Sequence, residues 1–289
     1  LLILRHGSLP AFWRAALALP PLAAWAALVR PSRAPRLERA ALLAGLFFAG
    51  DLIFWHIAIL TTSVANATVL ATTSPLWVIA FTALVLRQHV SRTSLGGLTL
   101  CILGATALVG ESWRFDPDRL AGDGAGLVTA FFFAGYFLAV GAARQHQGAA
   151  AVTLVATAVT SLVLLAVALF LEPTLWPASL TGAASLLALA LVSQVGGLGL
   201  LALGLSAVPP VFGSLVFFLE VVSAAALGAM FLSEGLSVIQ VAGAGLIVAG
   251  LVVARPRPPR PDGGVRDSPL PSLCPDDRSQ ADASAAPKH

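Results

Sequence analysis

The sequence predicts an all-α polytopic membrane protein made of two inverted five-helix repeats, with the first helix of the first repeat truncated. Three observations lead to this fold class: an apolar composition, nine apolar segments of helical length, and a residue pattern that recurs 146 positions later. The chain is 57% hydrophobic and 11% charged, whereas average globular domains are about 25% charged. A soluble chain of this length cannot bury so much apolar side chain, because surface grows too fast relative to volume.

The predicted spans each hold roughly the 20 predominantly apolar residues that cross a bilayer core. They lie near 11–29, 40–60, 64–86, 94–110, 123–142, 150–171, 182–204, 208–232 and 238–254. Strands of a membrane barrel would alternate polar and apolar residues over about 10 positions. The sequence has no such alternation, which favours helices.

The arginines between the spans predict the orientation. They occur in the connections 30–39 and 87–92, at Arg144 after the fifth span, and from Arg255 onward. Threading nine spans places these four regions on one side, which the positive-inside rule assigns to the cytoplasm. The acidic 111–121 loop falls on the opposite side. The net charge of +3 therefore reflects membrane orientation and predicts no nucleic-acid binding.

A duplicated helical hairpin indicates the repeats. Residues of the first copy recur 146 positions later: Ala83, Leu86, Ser91, Gly97, Leu100 and Gly104 as Ala229, Leu232, Ser237, Gly243, Leu246 and Gly250. The polar breaks Arg87–His89 and Ser233–Gly235 fall on opposite sides of the membrane, so the halves are inverted. Inverted repeats are typical of secondary transporters. The second half has five spans and the first has four plus the apolar Leu1–Leu4, which predicts a first helix that begins upstream.

These patterns divide the chain into four predicted regions. The first repeat covers 1–110, a connecting loop covers 111–121, and the second repeat covers 122–254. The remaining 255–289 is rich in Pro, Arg, Asp and Ser. Such a composition cannot bury enough apolar area to fold, which predicts a disordered cytoplasmic tail.

Two acids within predicted spans mark a candidate substrate pathway. Asp51 lies in the middle of its span, where an acid costs about 2.5–3.5 kcal/mol on insertion scales, and Trp55 shares its face. Glu220 interrupts the second-half hairpin, where it fits either a proton site or a hydrogen-bond donor between helices. His56 lies on another face, as a proton carrier or as a neutral histidine bonded to its surroundings.

The 64–86 span adds a polar stripe to the predicted pathway. Asn66, Thr73 and Trp77 share one side, and Pro75 removes a backbone hydrogen bond, which predicts a kink. Transporters place substrates at broken helices in mid-membrane. Weaker candidates are Tyr136, Gln194 and Arg14, of which Arg14 is expected to snorkel to the interface. Four small residues are expected to let helices pack closely: Gly97, Gly104, Gly243 and Gly250.

Motifs of soluble enzymes are absent from the sequence. There is no Walker loop, no dinucleotide-binding glycine motif and no H-E-x-x-H. Cys101 and Cys274 stand in settings too different for a disulfide or a metal site. No cofactor and no metal are predicted. A membrane-embedded enzyme, or a scaffold acting through its tail, stays open as an alternative to a transporter.

Several stretches together resemble the EamA-like transporters of the drug/metabolite transporter superfamily. The resemblance is carried by 8–14, 65–86, Leu219-Glu220-Val221, Leu232-Ser233-Glu234 and 240–250. It implies ten helices in two inverted repeats, both termini in the cytoplasm, and efflux of metabolites, amino acids or drugs through a central cavity.

Three departures from the family pattern carry further expectations, and the first is the missing first helix. Val221 stands where the family has proline, which predicts that the second-half kink is absent. Gln88 replaces an acid of the family pattern and leaves Glu234 unmatched. The predicted function is export of a small-molecule solute by alternating access, within the bilayer of the inner or plasma membrane. Proton coupling, exchange and facilitation are left open, as is a homodimer.

Overall fold

The computed structural model describes residues 8–29, 38–110, 116–171, 179–231 and 237–256. Regular structure in these ranges is helical throughout. The α-helices are α1 (Ser8–Ala16), α2 (Leu19–Leu28), α3 (Arg39–Thr61), α4 (Val64–Ala71), α5 (Ser74–Leu84), α6 (Arg92–Val109), α7 (Leu120–Arg144), α8 (Ala149–Leu171), α9 (Leu180–Leu189), α10 (Leu198–Gly204), α11 (Pro210–Val216), α12 (Phe218–Phe231) and α13 (Val238–Ala254). A 3₁₀ turn, Pro117–Arg119, precedes α7, and a π-helix, Ala190–Gly197, joins α9 to α10.

The helices combine into membrane-length spans, which confirms the predicted polytopic all-α class. Eight stretches of the described chain are long and apolar enough to cross a membrane: Leu9–Leu28, Arg39–Thr61, Val64–Leu84, Arg92–Val109, Pro117–Arg144, Ala149–Leu171, Leu180–Gly204 and Pro210–Met230. A shorter apolar helix, Val238–Ala254, takes the place of the ninth predicted segment. The predictions about Leu1–Leu4, Glu234 and the tail beyond Pro256 lie outside the described residues.

Serine side chains fix where several helices begin. The hydroxyls of Ser91 and Ser237 accept hydrogen bonds from the backbone N–H groups of Ser94 and Gln240, three residues on. These N-caps satisfy donors that have no partner within the helix. Gln240 also returns a bond to the backbone N–H of Ser237, completing a capping box. Ser91 and Ser237 are 146 positions apart, so α6 and α13 begin in the same way.

The duplicated glycines form a reciprocal interface between α6 and α13. A Cβ on Gly97 would lie 2.5 Å from the carbonyl oxygen of Gly250, and one on Gly104 would lie 2.5 Å from that of Gly243. Gly97 and Gly104 correspond to Gly243 and Gly250 across the repeat. Gly97 therefore contacts the repeat equivalent of Gly104, and Gly104 contacts the repeat equivalent of Gly97. A two-fold axis between the helices requires this reciprocal pattern. The prediction that these glycines allow close packing is confirmed.

The core of the chain lies where α3 packs against α7 and α8. A Cβ on Gly135 would lie 2.5 Å from the ring of Phe47, so α7 approaches α3 closely. The Thr160 hydroxyl of α8 donates to the carbonyl oxygen of Gly45 at 2.9 Å. Buried apolar side chains, among them Phe48 and Phe137, fill the remaining space. These contacts hold α3, α7 and α8 in fixed relative positions.

Polar side chains fasten α3 and α7 at both ends. At one end, the carboxylate of Asp123 accepts bonds from Thr62 Oγ1 at 2.7 Å and from Asn66 Nδ2 at 3.4 Å. At the other end, Gln147 Nε2 donates to Glu38 at 3.0 Å. The antiparallel pair is thus fixed in register along its whole length.

Replacing Gly97 with alanine tests the reciprocal interface. The added methyl group would press on the Gly250 carbonyl and on Ala254, and overpacking of this kind costs about 1–3 kcal/mol. We expect Gly97→Ala to lower the melting temperature of the purified protein. Gly96→Ala is the matched control, because the atom nearest to a Cβ added there is a side-chain carbon of Val253, 4.0 Å away. Equal melting temperatures for the two variants would contradict the interface.

Candidate functional site

A cavity of about 490 Å³ lies between the two repeats at the middle of their spans. Its wall combines charged, hydroxyl and aromatic side chains. The charged groups are Arg14, Asp51 and Glu220. Further residues of the wall are Phe48, Leu52, Trp55, Thr68, Ala71, Thr72, Ser74, Thr129, Phe133, Ser193, Gly197, Leu198, Leu201 and Phe217. A small organic molecule fits such a mixed, concave site.

The wall of the cavity follows the repeat symmetry in position but not in charge. Five pairs of residues that are 146 positions apart both line it: Asp51 with Gly197, Leu52 with Leu198, Trp55 with Leu201, Ala71 with Phe217, and Ser74 with Glu220. The cavity therefore lies where equivalent helices of the two repeats meet. Each acid corresponds to an uncharged residue in the other repeat, so the polar groups have diverged on a shared frame.

The first-repeat wall contains the predicted kink. The span 64–84 is broken into α4 and α5 at Thr72 and Thr73. Pro75, in the first turn of α5, has no backbone N–H to continue α4. The hydroxyls of Thr72 and Thr73 donate to the carbonyl oxygens of Val69 and Leu70. The break places Ala71, Thr72 and Ser74 on the cavity wall.

The second-repeat span is also broken, which corrects the prediction made from Val221. α11 ends at Val216 and α12 begins at Phe218. Around Phe217 the backbone bonds tighten, with Phe217 N donating to Ser214 O at 3.1 Å and Glu220 N donating to Phe217 O at 2.9 Å. The Phe217 ring packs edge-on against Phe133, 4.6 Å between centroids. The Ser214 hydroxyl donates to the carbonyl oxygen of Val211 at 2.8 Å, so a break with aromatic and hydrogen-bonded contacts is present without the proline.

A π-helix, which the sequence pattern does not predict, forms a third irregular stretch of the wall. It covers Ala190–Gly197 and contributes Ser193 and Gly197 to the cavity. π-Helical turns within α-helices often occur at functional sites. Two sequence features could have indicated this irregular stretch. One is a glutamine within an apolar run, and the other is two consecutive glycines, Gly196 and Gly197, which are poor helix formers.

Arg14 points into the cavity, which corrects the expectation that it snorkels to the interface. Its Nε donates to Gln194 Oε1 at 3.2 Å, and its guanidinium carbon lies 5.7 Å from the centroid of the Phe48 ring. A cation at this distance is attracted to the ring face. Asp51 lines the same cavity as Arg14. Partners inside the protein thus replace water for this charge.

The two predicted acids both line the cavity. Asp51 is 7% exposed. It shares the cavity wall with Arg14 and Glu220. Trp55 lines the same cavity, as expected from its position one turn after Asp51. Within the described ranges, no group of three His, Cys, Asp or Glu residues could hold a metal ion.

The other predicted pathway residues lie outside the described cavity wall. Asn66 is buried and contacts Asp123, and Pro75 is buried in α5. Trp77 packs edge-on against Phe131, while His56 donates from Nδ1 to the carbonyl oxygen of Leu52 at 2.7 Å. The remaining predicted residue is Thr73, whose hydroxyl donates to the carbonyl oxygen of Leu70. A role for these residues in the pathway stays a prediction.

Thr129 is a polar wall residue that the sequence pattern gives no reason to select. Its side chain is 3% exposed and lines the cavity from α7. Among the described residues its hydroxyl has no hydrogen-bond partner. A buried hydroxyl without a partner is costly, so Thr129 is an unsatisfied polar group in the cavity wall. It is flanked by apolar residues and phenylalanines in the sequence, which hide its role.

Inverted repeats that enclose a polar cavity at mid-span, with broken helices in its wall, are the architecture of secondary transporters. Comparison with known families gives the particular group. The EamA-like transporter family model matches residues 9–110 and 120–255, and the chain belongs to that family. The family is part of the drug/metabolite transporter superfamily. The predicted resemblance is therefore confirmed, and the two matched segments fit the two inverted repeats.

A solved crystal structure shares the fold of this chain. The two superpose with a TM-score of 0.71 at 19% sequence identity, over 86% of this chain and 88% of the other. Likeness at this identity concerns the fold alone. A comparison with curated proteins finds no match.

Replacing Asp123 with alanine tests whether the Asp123 cluster is structural. The change leaves the hydroxyl of Thr62 and the amide of Asn66 without this acceptor, which costs about 1–3 kcal/mol. We expect a lower melting temperature, and less than additive loss in the double variant with Asn66→Ala. Asp118→Ala, on the exposed turn before α7, is the matched control. If the losses of the two single variants add in the double variant, Asn66 is not coupled to Asp123. That outcome would contradict a structural role for the pair and leave Asn66 available for the predicted pathway.

Proposed function

We propose that this protein exports a small organic solute across the inner or plasma membrane by alternating access, with the solute bound in the cavity between the repeats. The observation that carries the proposal is the cavity itself, which draws Arg14 and Asp51 from the first repeat and Glu220 from the second. Charged groups inside a membrane are costly and usually mark a substrate or ion path. The family match supports the same class of function.

The inverted arrangement supplies a route for alternating access. When two repeats related by an axis in the membrane plane exchange conformations, a cavity that opens to one side comes to open to the other. The glycine interface between α6 and α13 joins the repeats across that axis. The breaks at Thr72–Thr73 and at Phe217 let the two halves of each broken span reorient separately.

Asp51 and Glu220 are the proposed polar groups of the transport pathway. Each carboxylate is able to hold a proton or a positively charged part of the solute, but not both together. This competition would couple efflux to proton movement. Exchange and facilitated movement need no such competition, so the dependence of efflux on pH distinguishes these mechanisms.

The proposed orientation places the C-terminal tail in the cytoplasm. It is supported by arginines at four described places that the parity of the spans puts on one side: Arg39, Arg92, Arg144 and Arg255. The repeats are proposed to cover 1–110 and 122–254. The homodimer left open by the sequence stays a prediction.

Removing the two carboxylates tests the pathway. We expect Asp51→Asn and Glu220→Gln each to slow efflux of the transported solute by roughly tenfold or more, since a bond to a charged group is lost. The pH dependence of efflux from preloaded proteoliposomes should flatten as well. Asp118→Asn, which changes a carboxylate on an exposed turn, should leave both unchanged. Unaltered rates and pH profiles in both cavity variants would contradict the assignment.

Removing 257–289 tests whether the chain acts as a transporter or through its tail. The family match ends at residue 255, so the truncated protein keeps both matched segments. We expect its efflux rate in proteoliposomes to equal that of the full chain. A scaffold acting through its tail would lose its activity on truncation, and a membrane enzyme would show turnover in detergent without any gradient.

A further inference from the structure

We propose that Arg14 binds an anionic group of the exported solute, and that Gln194 is the residue that positions the guanidinium group for this contact. The inference rests on the proposed function, because it concerns the same cavity. It names a chemical class for the solute: an organic molecule with a carboxylate or a phosphate group and an apolar body.

The donors of Arg14 are only partly used. A guanidinium group carries five N–H donors, of which Nε–H is bonded to Gln194. Within the described part of the chain, the terminal nitrogens of Arg14 have no hydrogen-bond partner, and no carboxylate lies within 4.0 Å of them. Arg14 nevertheless lines the cavity. The terminal nitrogens form a planar fork that matches the geometry of a carboxylate or a phosphate.

A chain of hydrogen bonds fixes the direction of this fork. Gln194 is fully buried in the π-helix. Its Nε2 donates to Thr157 Oγ1 of α8 at 3.3 Å, which leaves its Oε1 to accept from Arg14 Nε at 3.2 Å. Because Nε is held on one side, the terminal nitrogens are kept for a ligand. Gln194 therefore acts through Arg14 and links the second repeat to a charge of the first.

The rest of the wall suits such a solute. The rings of Phe48, Trp55, Phe133 and Phe217 offer an apolar surface for its body. Asp51 and Glu220 would repel an anion placed beside them, so the anionic group is expected to contact the terminal nitrogens of Arg14. A positive group on the same solute would be attracted to the two acids. Probes for the site must therefore vary charge while keeping one apolar body.

Four probes that share a phenyl ring test the proposal: phenylacetate, phenyl phosphate, phenylalanine and phenylethylamine. The measurement is the rise in melting temperature of the purified full chain with millimolar probe, fitted to a Kd. We expect the three probes with an anionic group to stabilise the wild type. Arg14→Lys and Gln194→Leu should weaken their binding roughly ten- to hundredfold, with phenylethylamine unchanged. Comparing phenylacetate with phenyl phosphate separates the two anion chemistries.

A threonine pair on α8 gives the control. Thr157→Val removes the acceptor of Gln194 Nε2 and should weaken the anionic probes selectively, while it disturbs the fold less than Gln194→Leu. Thr153, one turn earlier, is equally buried, and its hydroxyl has no partner among the described residues. Thr153→Val should leave all four affinities unchanged.

Three results would overturn the proposal. The anionic probes could fail to stabilise the wild type. The variants could weaken phenylethylamine as much as phenylacetate, which would indicate a structural role. The double variant Arg14→Gln with Asp51→Asn could regain the affinity for phenylacetate, which would show that Arg14 merely neutralises Asp51. Probe exchange by proteoliposomes keeps the two hypotheses apart. Exchange of phenylacetate that Arg14→Lys leaves unchanged would contradict the Arg14 assignment and preserve transport, whereas a wild type that exchanges none of the probes would contradict the proposed function.

Discussion

A charge within the hydrocarbon layer must find its partners inside the protein, and this constraint governs the centre of the molecule. Arg14 meets it with the amide of Gln194 and the ring of Phe48. These partners come from both repeats. The charge therefore holds the repeats around a polar space, where apolar packing alone would close it. The cavity follows from the need to satisfy this group as much as from the shape of the helices.

Close backbone packing supplies the frame that keeps the polar space open. The glycines of α6 and α13 interlock reciprocally, and polar bonds fasten α3 to α7 near both ends. The broken spans contact helices of both pairs, and the broken spans and the π-helix contribute residues to the cavity wall. Rigid helix pairs thus surround a central region in which the backbone departs from regular α-helix. Irregular backbone at this depth is tolerated only where it lines a cavity or is buried in protein.

Composition and periodicity predict the helices and the inverted repeat well, because apolar length and glycine spacing are local properties of the sequence. The kink at Pro75 is predictable for the same reason, since proline acts on its own backbone. The break at Phe217 is not, because it depends on a ring packed against Phe133 from α7. The setting of Arg14 is also hidden, since its partner Gln194 is 180 positions away. Contacts between distant segments leave no periodic signal.

The two repeats share one arrangement of helices but carry their acids at different positions, so an exchange of conformations between them does not restore the same arrangement of charges. Asp51 and Glu220 correspond to Gly197 and Ser74, so a duplicated helix frame carries its acids at different positions in the two repeats. If the repeats exchange conformations, the backbone returns to an equivalent arrangement, but the charges do not. The separation of Arg14 and Asp51, which move with the first repeat, from Glu220 then differs between the two states. A solute that contacts groups from both repeats is bound unequally in them, and this difference in affinity is what shifts the equilibrium between the states.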